Sequence, residues 1–361
     1  MPTNFSMSML TVATMRYARV YIDALEVELP TEVITMRYHE NQLAPLLKQL
    51  QLPIGHIEAI TGISERRFWP DGASLVDGAQ RAARRALDQS GVKASDLGAL
   101  IYTSVCREHF EPATACLIAG ALEVPASAMV YDLSNACLGA LNGIIELANH
   151  IELGHFRAGL VIACESARPI IEQTIKAMLK AGTAEFFAQS VATMTGGSGA
   201  VAILVTDGSF AAGGHHQLLG GVVRSASQHH DLCRWGYTEN EDGSYIQSMT
   251  TDARAVLHHG LDLGRATWRA FLQAMDWEPQ SIDRTITHQV GRTHRQKMLN
   301  SIERSIDQDY PTFQHLGNIG SVSVPLTASL AAANGFIQPG HRVAWLGIGS
   351  GLNCLMLGIQ W

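Results

Sequence analysis

The chain repeats its own pattern, and that repeat confines it to a small set of two-part architectures. Leu75 to Leu87 puts Leu75, Ala79, Ala82, Ala83, Ala86 and Leu87 on one helical face, with Arg81, Arg84 and Arg85 opposite. A polar turn, Gly91 to Asp96, follows, and then the apolar run Leu97 to Val105. About 185 positions later the succession returns: helical Ala266 to Met275, a turn over Asp276 to Asp283, and strand-like Arg284 to Val290. Cys137 opens a small-residue helix ending near Gly154-His155, ahead of the strand Ala158 to Cys164. Asn318, about 181 positions on, opens another, ending near Gly340-His341 ahead of Arg342 to Ile348.

Four elements recurring in order imply two pseudo-symmetric βα-rich halves, with helices sandwiched between and around two sheets. The expected division is residues 15–207 and residues 208–361. Residues 1–14, which carry no charge and no period, read as a loose extension, with Met15 as an alternative start. Residues 209–245 are rich in Gly, His, Ser and Asn and read as a loop-rich insertion covering a site.

Composition narrows the functional classes. Of 361 residues, 47% are hydrophobic and only 16% charged, with 33 glycines, which fits a large, well-buried enzyme. A net charge of −7 gives nucleic acid or an anionic membrane nothing to hold. No apolar run reaches the roughly 18 residues of a membrane span. Val322 to Phe336 comes nearest and is broken by Pro325, Thr327, Ser329 and Asn334. Six cysteines without paired spacing imply reduced thiols and a cytoplasmic location.

The chemistry gathers at three places. Cys137, in Ser134-Asn135-Ala136-Cys137-Leu138-Gly139-Ala140, lies where an apolar strand hands over to a helix. The positive helix start there is expected to favour thiolate. Taken alone, a cysteine is more often a buried structural residue. His288, in Ile286-Thr287-His288-Gln289, ends a strand, where α/β sheets place ligands. Its bland reading is a satisfied core histidine. Asn318, in Gly317-Asn318-Ile319-Gly320, is equally readable as a helix cap. Together the three suit thioester chemistry: a thiolate takes an acyl group while imidazole and amide donate to an enolate oxygen. Gly347-Ile348-Gly349-Ser350-Gly351 follows the last apolar run, and the backbone N–H of Ser350, beside Gly349, pairs with that of Cys137 as an oxyanion site. Neither this turn nor Gly196-Gly197-Ser198-Gly199 fits a dinucleotide loop, a P-loop or a serine-hydrolase elbow, so no nucleotide cofactor is expected. His215, His216, His229, His230 and Cys233 do not have chelating spacing, so no metal is expected either.

Asn135-Ala136-Cys137, His288-Gln289 and Gly317-Asn318, with Thr61-Gly62-Ile63 upstream, resemble the ketoacyl synthase III-like enzymes of the thiolase superfamily from Tyr17 to Trp361. The resemblance implies a five-layered αβαβα fold, a homodimer, acyl-CoA or acyl-carrier thioesters as substrates, Cys137 as the acylated nucleophile, and His288 with Asn318 as a second oxyanion site. The likeness is greatest to the branch that joins two acyl-CoA thioesters head to head without decarboxylation, which opens olefin biosynthesis. It rests on Phe110-Glu111-Pro112-Ala113-Thr114-Ala115 and on the ending Gly349-Ser350-Gly351-Leu352-Asn353-Cys354.

Elongating synthases usually place an apolar residue where Glu111 stands, on the loop that enters the partner's acyl tunnel. A carboxylate there can remove the α-proton of the second thioester and so generate the carbanion that decarboxylation otherwise supplies, and burial makes it a better base. The plain alternative for Glu111 is a solvated charge beside Glu108. The tryptophan and arginine that grip coenzyme A in elongating synthases correspond here to His56 and Ile60, leaving Arg66 and Arg67 as candidates for the phosphates. A decarboxylative synthase using malonyl-carrier, a pyrone-forming enzyme and a non-catalytic subunit of a lipid assembly are the competing readings.

Overall fold

The structure is a computed structural model that describes residues 13–210, 216–239 and 243–361. The first half carries β1 (Ala13–Arg16), β2 (Tyr21–Glu28), β3 (Glu32–Thr35), β4 (Glu65–Phe68), β5 (Ala99–Tyr102), β6 (Met129–Asp132), β7 (Ala158–Glu165) and β8 (Gly199–Thr206). The second carries β9 (His216–Ser225), β10 (Cys233–Glu239), β11 (Tyr245–Thr251), β12 (Arg284–Thr287), β13 (Arg342–Gly349) and β14 (Asn353–Gln360).

The repeat is visible in the pairing. In the first half β5 runs parallel to β7, β7 antiparallel to β8, and β8 antiparallel to β2. In the second, β12 runs parallel to β13, β13 antiparallel to β14, and β14 antiparallel to β9. The two half-sheets are hydrogen-bonded into one, in the order β12-β13-β14-β9-β2-β8-β7-β5-β6. Their junction is short: Tyr21 opposite Gln217 and Ile22 opposite His216. The sequence suggests two separate sheets, and this seam is the difference.

Strand alternation builds the layers. On β7, Leu160, Ile162 and Cys164 join a cluster with Ala79, Ala82, Ala83 and Ala86 of the helix Leu75–Ser90. The intervening Val161 and Ala163 face the opposite way, into a cluster holding Leu141, Ile144 and Leu147 of the helix Gly139–Glu152 and Val324, Leu326 and Ala328 of the helix Ser323–Ala333. From the other side, Val343 and Trp345 of β13 enter that same cluster. Ala344 and Leu346 turn outward to Trp268 and Phe271 of the helix Ala253–Met275. Five layers result: helix, half-sheet, a central helix pair, half-sheet, helix. Each large side chain taken from water contributes about 1.5–3 kcal/mol before entropy, and most residues of the central helix pair are buried. The helices that follow Cys137 and Asn318 both belong to it.

Two expectations need correction. The described part of residues 209–245 is largely strand, not loop: β9 lies in the central sheet, and β10 pairs with β11 from Cys233↔Thr251 to Glu239↔Tyr245. Their pattern is masked by Gly220 and Gly221, where an added Cβ would stand 2.3 Å from the Met15 carbonyl and 2.7 Å from that of Met356. Ala13 and Thr14, expected in a loose extension, form β1 against Val223 and Val222. The rest of that extension, residues 1–12, and His215 lie outside the described residues.

Candidate active site

Cys137 is held by a tight turn between β6 and the helix Gly139–Glu152. Ala136 adopts a left-handed φ of 45°, an uncommon conformation for a residue with a side chain. The turn is closed by Leu138 N–H to Asn135 O at 2.9 Å and Gly139 N–H to Ala136 O at 3.2 Å. Asn135 anchors it on both sides, donating to Asn142 Oδ1 at 2.8 Å and accepting from Asn353 Nδ2 at 3.1 Å. Glycine is required at 139, since a Cβ there would lie 1.9 Å from the Thr103 carbonyl oxygen.

Asn318 occupies the matching turn of the second half. Its N–H donates to Thr195 O and its carbonyl accepts from Gly197 N–H, both at 2.8 Å. Its side-chain oxygen accepts from Gly320 N–H at 3.0 Å and from Ser323 Oγ at 3.5 Å. With that oxygen engaged in the turn, the amide donor is the end left for the cavity. Gly349, last residue of β13, packs on Cys137: an added Cβ would stand 3.4 Å from Cys137 N. Cys137, Asn318 and Ser350 line one cavity of about 540 Å³, together with Glu165, Cys106, Cys233 and Trp235.

His288 follows β12, and its N–H donates to Leu346 O at 2.9 Å. The strand end is locked by Asp309, which accepts from Thr287 N–H at 2.9 Å and from Arg295 Nε at 2.6 Å. Gln289 braces the next turn by accepting from Thr312 and Phe313 N–H at 2.9 and 3.2 Å. His288 is buried and is not among the residues lining the Cys137 cavity. It stands beside Gly347 on the neighbouring strand, and Gly347 packs on Leu138, the residue after the nucleophile. Its Nδ1 is buried without a hydrogen-bond partner. Burial, and next the neighbouring His294, lower the imidazole pKa to about 3.

The thiol departs from expectation. Burial above all, with Cys233 and Glu165 nearby, pushes Cys137 up to about 12. Desolvation thus outweighs the helix start, and the resting pair is a neutral thiol and a neutral imidazole.

Glu111 does not meet Cys137 within one chain. It is exposed and lines a neighbouring cavity of about 880 Å³ with Phe110, His109 and Tyr237. The two cavities share Val105, Cys106, Ser134, Ser166 and Trp235. Phe110 is 83% exposed. Glu108 is occupied elsewhere, accepting from Val76 N–H at 3.0 Å at the start of the helix Leu75–Ser90.

Arg66 is withdrawn as a phosphate contact. It is fully buried, and its guanidinium donates to the carbonyls of Met194 and Gly196. Arg67 is half-buried, with its Nε sequestered and without a partner. Of the residues weighed as a metal cluster, His216 stacks on Trp361, His229 stacks on His259, and Cys233 lines the Cys137 cavity. Sequence reasoning missed Glu165 and the β10 wall. The one available signal for Glu165 was a lone charge ending an otherwise apolar eight-residue strand.

A cysteine and an asparagine on twin turns, opening on one apolar cavity between duplicated half-sheets, define a condensing enzyme of the thiolase fold. A sequence profile for the C-terminal part of 3-oxoacyl-[acyl-carrier-protein] synthase III matches residues 272–361. An acyl-CoA:acyl-CoA alkyltransferase of Shewanella oneidensis is 49% identical over 349 residues, covering 96% of this chain and 100% of that protein. One of Xanthomonas campestris is 33% identical over 91% of this chain and 94% of its own length. The chain belongs to this family of ketoacyl synthase III-like acyltransferases, the acyl-CoA:acyl-CoA alkyltransferases. A cysteine-to-serine variant of Xanthomonas campestris OleA, solved with bound lauric acid and lauroyl-CoA, superimposes with a TM-score of 0.89 at 33% identity, covering 96% of this chain and 100% of that one. Other solved structures of that OleA carry single changes at a histidine and at a glutamate.

Proposed function

We propose that this protein condenses two fatty acyl-CoA thioesters head to head, without decarboxylation, through an acyl-Cys137 intermediate. The observation that carries the reading is the shared cavity of Cys137, Asn318 and Ser350, with a carboxylate, Glu111, standing exposed beside it. In the first half-reaction Cys137 Sγ attacks an acyl-CoA carbonyl. The oxyanion is met by the backbone N–H groups of Cys137 and Ser350, and coenzyme A leaves as the thiol, carrying the proton Cys137 gives up. In the second, Glu111 removes the α-proton of another acyl-CoA. The enolate oxygen is held by Asn318 and the neutral His288, and the α-carbon attacks the Cys137 thioester. The sulfur departs and is reprotonated, balancing the proton that Glu111 took; a β-ketoacyl-CoA thioester is formed, and water cleaves it to the β-keto acid and free coenzyme A. Protein groups and substrate supply every step, so the proposal includes no metal or cofactor.

The proposal extends to a homodimer in which Glu111 serves the partner's site. In a single chain Glu111 is exposed to solvent. Covering Phe110 and Tyr237 with a second subunit would bury it. Arg67 remains the candidate for the nucleotide end of coenzyme A. We place the protein in the cytoplasm, where its six unpaired cysteines stay reduced, and in lipid or olefin biosynthesis.

The test is direct. Purified protein given a single radiolabelled fatty acyl-CoA and no malonyl group should release coenzyme A and form the coupled β-keto product, with an acyl adduct lost in Cys137→Ala. Product that forms only when malonyl-carrier is added would establish the decarboxylative reading instead.

A further inference from the structure

The two halves are not symmetric where their strands end. The last residue of β13 is Gly349, which touches the Cys137 turn of the first half. The last residue of β7, at the matching position, is Glu165, which touches the Asn318 turn of the second half. Each strand end therefore abuts the other half's reactive turn. One is a glycine that makes room, and the other is a buried carboxylate, 4% exposed, that the steps above leave unused.

We infer that Glu165 is a positioning residue for condensation, whose single carboxylate fixes the Asn318 turn and the root of the Glu111 loop at the same time. Oε1 accepts from Ser321 Oγ at 2.9 Å and from Val105 N–H at 3.0 Å, and Oε2 accepts from Cys106 N–H at 3.1 Å. Gly320, with φ of 52°, lets the turn come this close; an added Cβ would lie 3.1 Å from Oε1. Gly320 N–H in turn donates to the Asn318 side chain. On the other side, residues 105 and 106 begin the segment that runs to Glu111, and Tyr102 Oη donates to Cys106 O at 2.8 Å to hold it.

The group that takes the α-proton and the amide that receives the enolate are thus set by one rigid carboxylate. A buried carboxyl group that accepts three hydrogen bonds is a firm anchor in a protein interior, although burial raises its pKa above the usual carboxylate value. Acylation of Cys137 uses neither Asn318 nor Glu111, so the device bears on the second half-reaction only.

The inference rests on the condensation reading above, and the test separates the two. Ser321→Ala cuts only the link to the Asn318 turn. Glu165→Gln keeps the shape but turns one oxygen into a donor that cannot accept a backbone N–H. Condensation kcat should fall about tenfold in each variant, while single-turnover acylation of Cys137, followed by intact mass, should stay within about twofold of wild type in Ser321→Ala, which leaves the carboxylate beside Cys137 in place. The double variant should be no slower than Glu165→Gln alone, because Ser321 acts through that carboxylate. Unchanged condensation in both variants would overturn the inference. So would additive losses, or acylation falling in step with condensation in Ser321→Ala. Wild-type protein that fails to join two acyl-CoA molecules would sink the parent reading instead.

Discussion

At the scale of single residues, burial sets the chemistry more than helix geometry does. Cys137 is held up at about 12 and His288 down at about 3, so neither changes charge across ordinary pH. The thiol would ionise only well above neutrality, and the imidazole would take a proton only in strong acid. Because the thiolate is the attacking species, the single-turnover acylation rate constant is expected to climb with pH from about pH 5 to 9 without levelling off. A rapid-quench series showing an acid limb with a midpoint of about 6–7 would mean that the imidazole titrates near its ordinary value, contrary to this structure. Cys137 and Asn318 were legible in the sequence because each sits in a short turn whose small neighbours mark it. Arg66 was not. The carbonyls that satisfy it, on Met194 and Gly196, lie about 130 positions away, and no local pattern distinguishes a buried guanidinium from one free to meet phosphate.

At the scale of elements, the twin turns are backed by helices packed into the central core between the half-sheets. Gly139 is the tightest point of the nucleophile's turn. Gly139→Ala would drive a methyl into the Thr103 carbonyl, a backbone atom that has no rotamer to retreat to. The expected cost is about 2 kcal/mol or more, read as a lower thermal midpoint together with slowed acylation of Cys137. A variant as stable and as quickly acylated as wild type would show that the turn relaxes freely. The helices and the paired β5/β12 and β7/β13 strands were readable from period and offset, since each is regular and buried on predictable faces. The region 209–245 was not. Glycines in β9 are there for close strand approach, and the exposed hairpin β10–β11 lacks a buried face to impose alternation on its sequence.

At the scale of the whole molecule, the two halves do not bring every candidate site residue to one cavity. The half-sheets bring Cys137, Asn318 and Ser350 together at one cavity, yet they leave Glu111 on an exposed loop beside Phe110. Phe110→Asp should weaken self-association in analytical ultracentrifugation and depress condensation while leaving acylation of Cys137 in place. A variant that remains associated and fully active would remove this loop from the interface. The five layers and the pseudo-twofold were visible in the sequence as a repeat. The seam through β2 and β9 was not, because two residue pairs at strand ends leave no periodic trace.

Subunit complementation probes the shared site most directly. Cys137→Ala and Glu111→Ala are each expected to be inactive in condensation, Glu111→Ala while still forming the Cys137 adduct. Mixed and allowed to exchange subunits, they should recover about a quarter of wild-type condensation. Half the dimers would then be mixed, and each mixed dimer would have one intact site. No recovery despite demonstrated subunit exchange would contradict a base supplied across the interface.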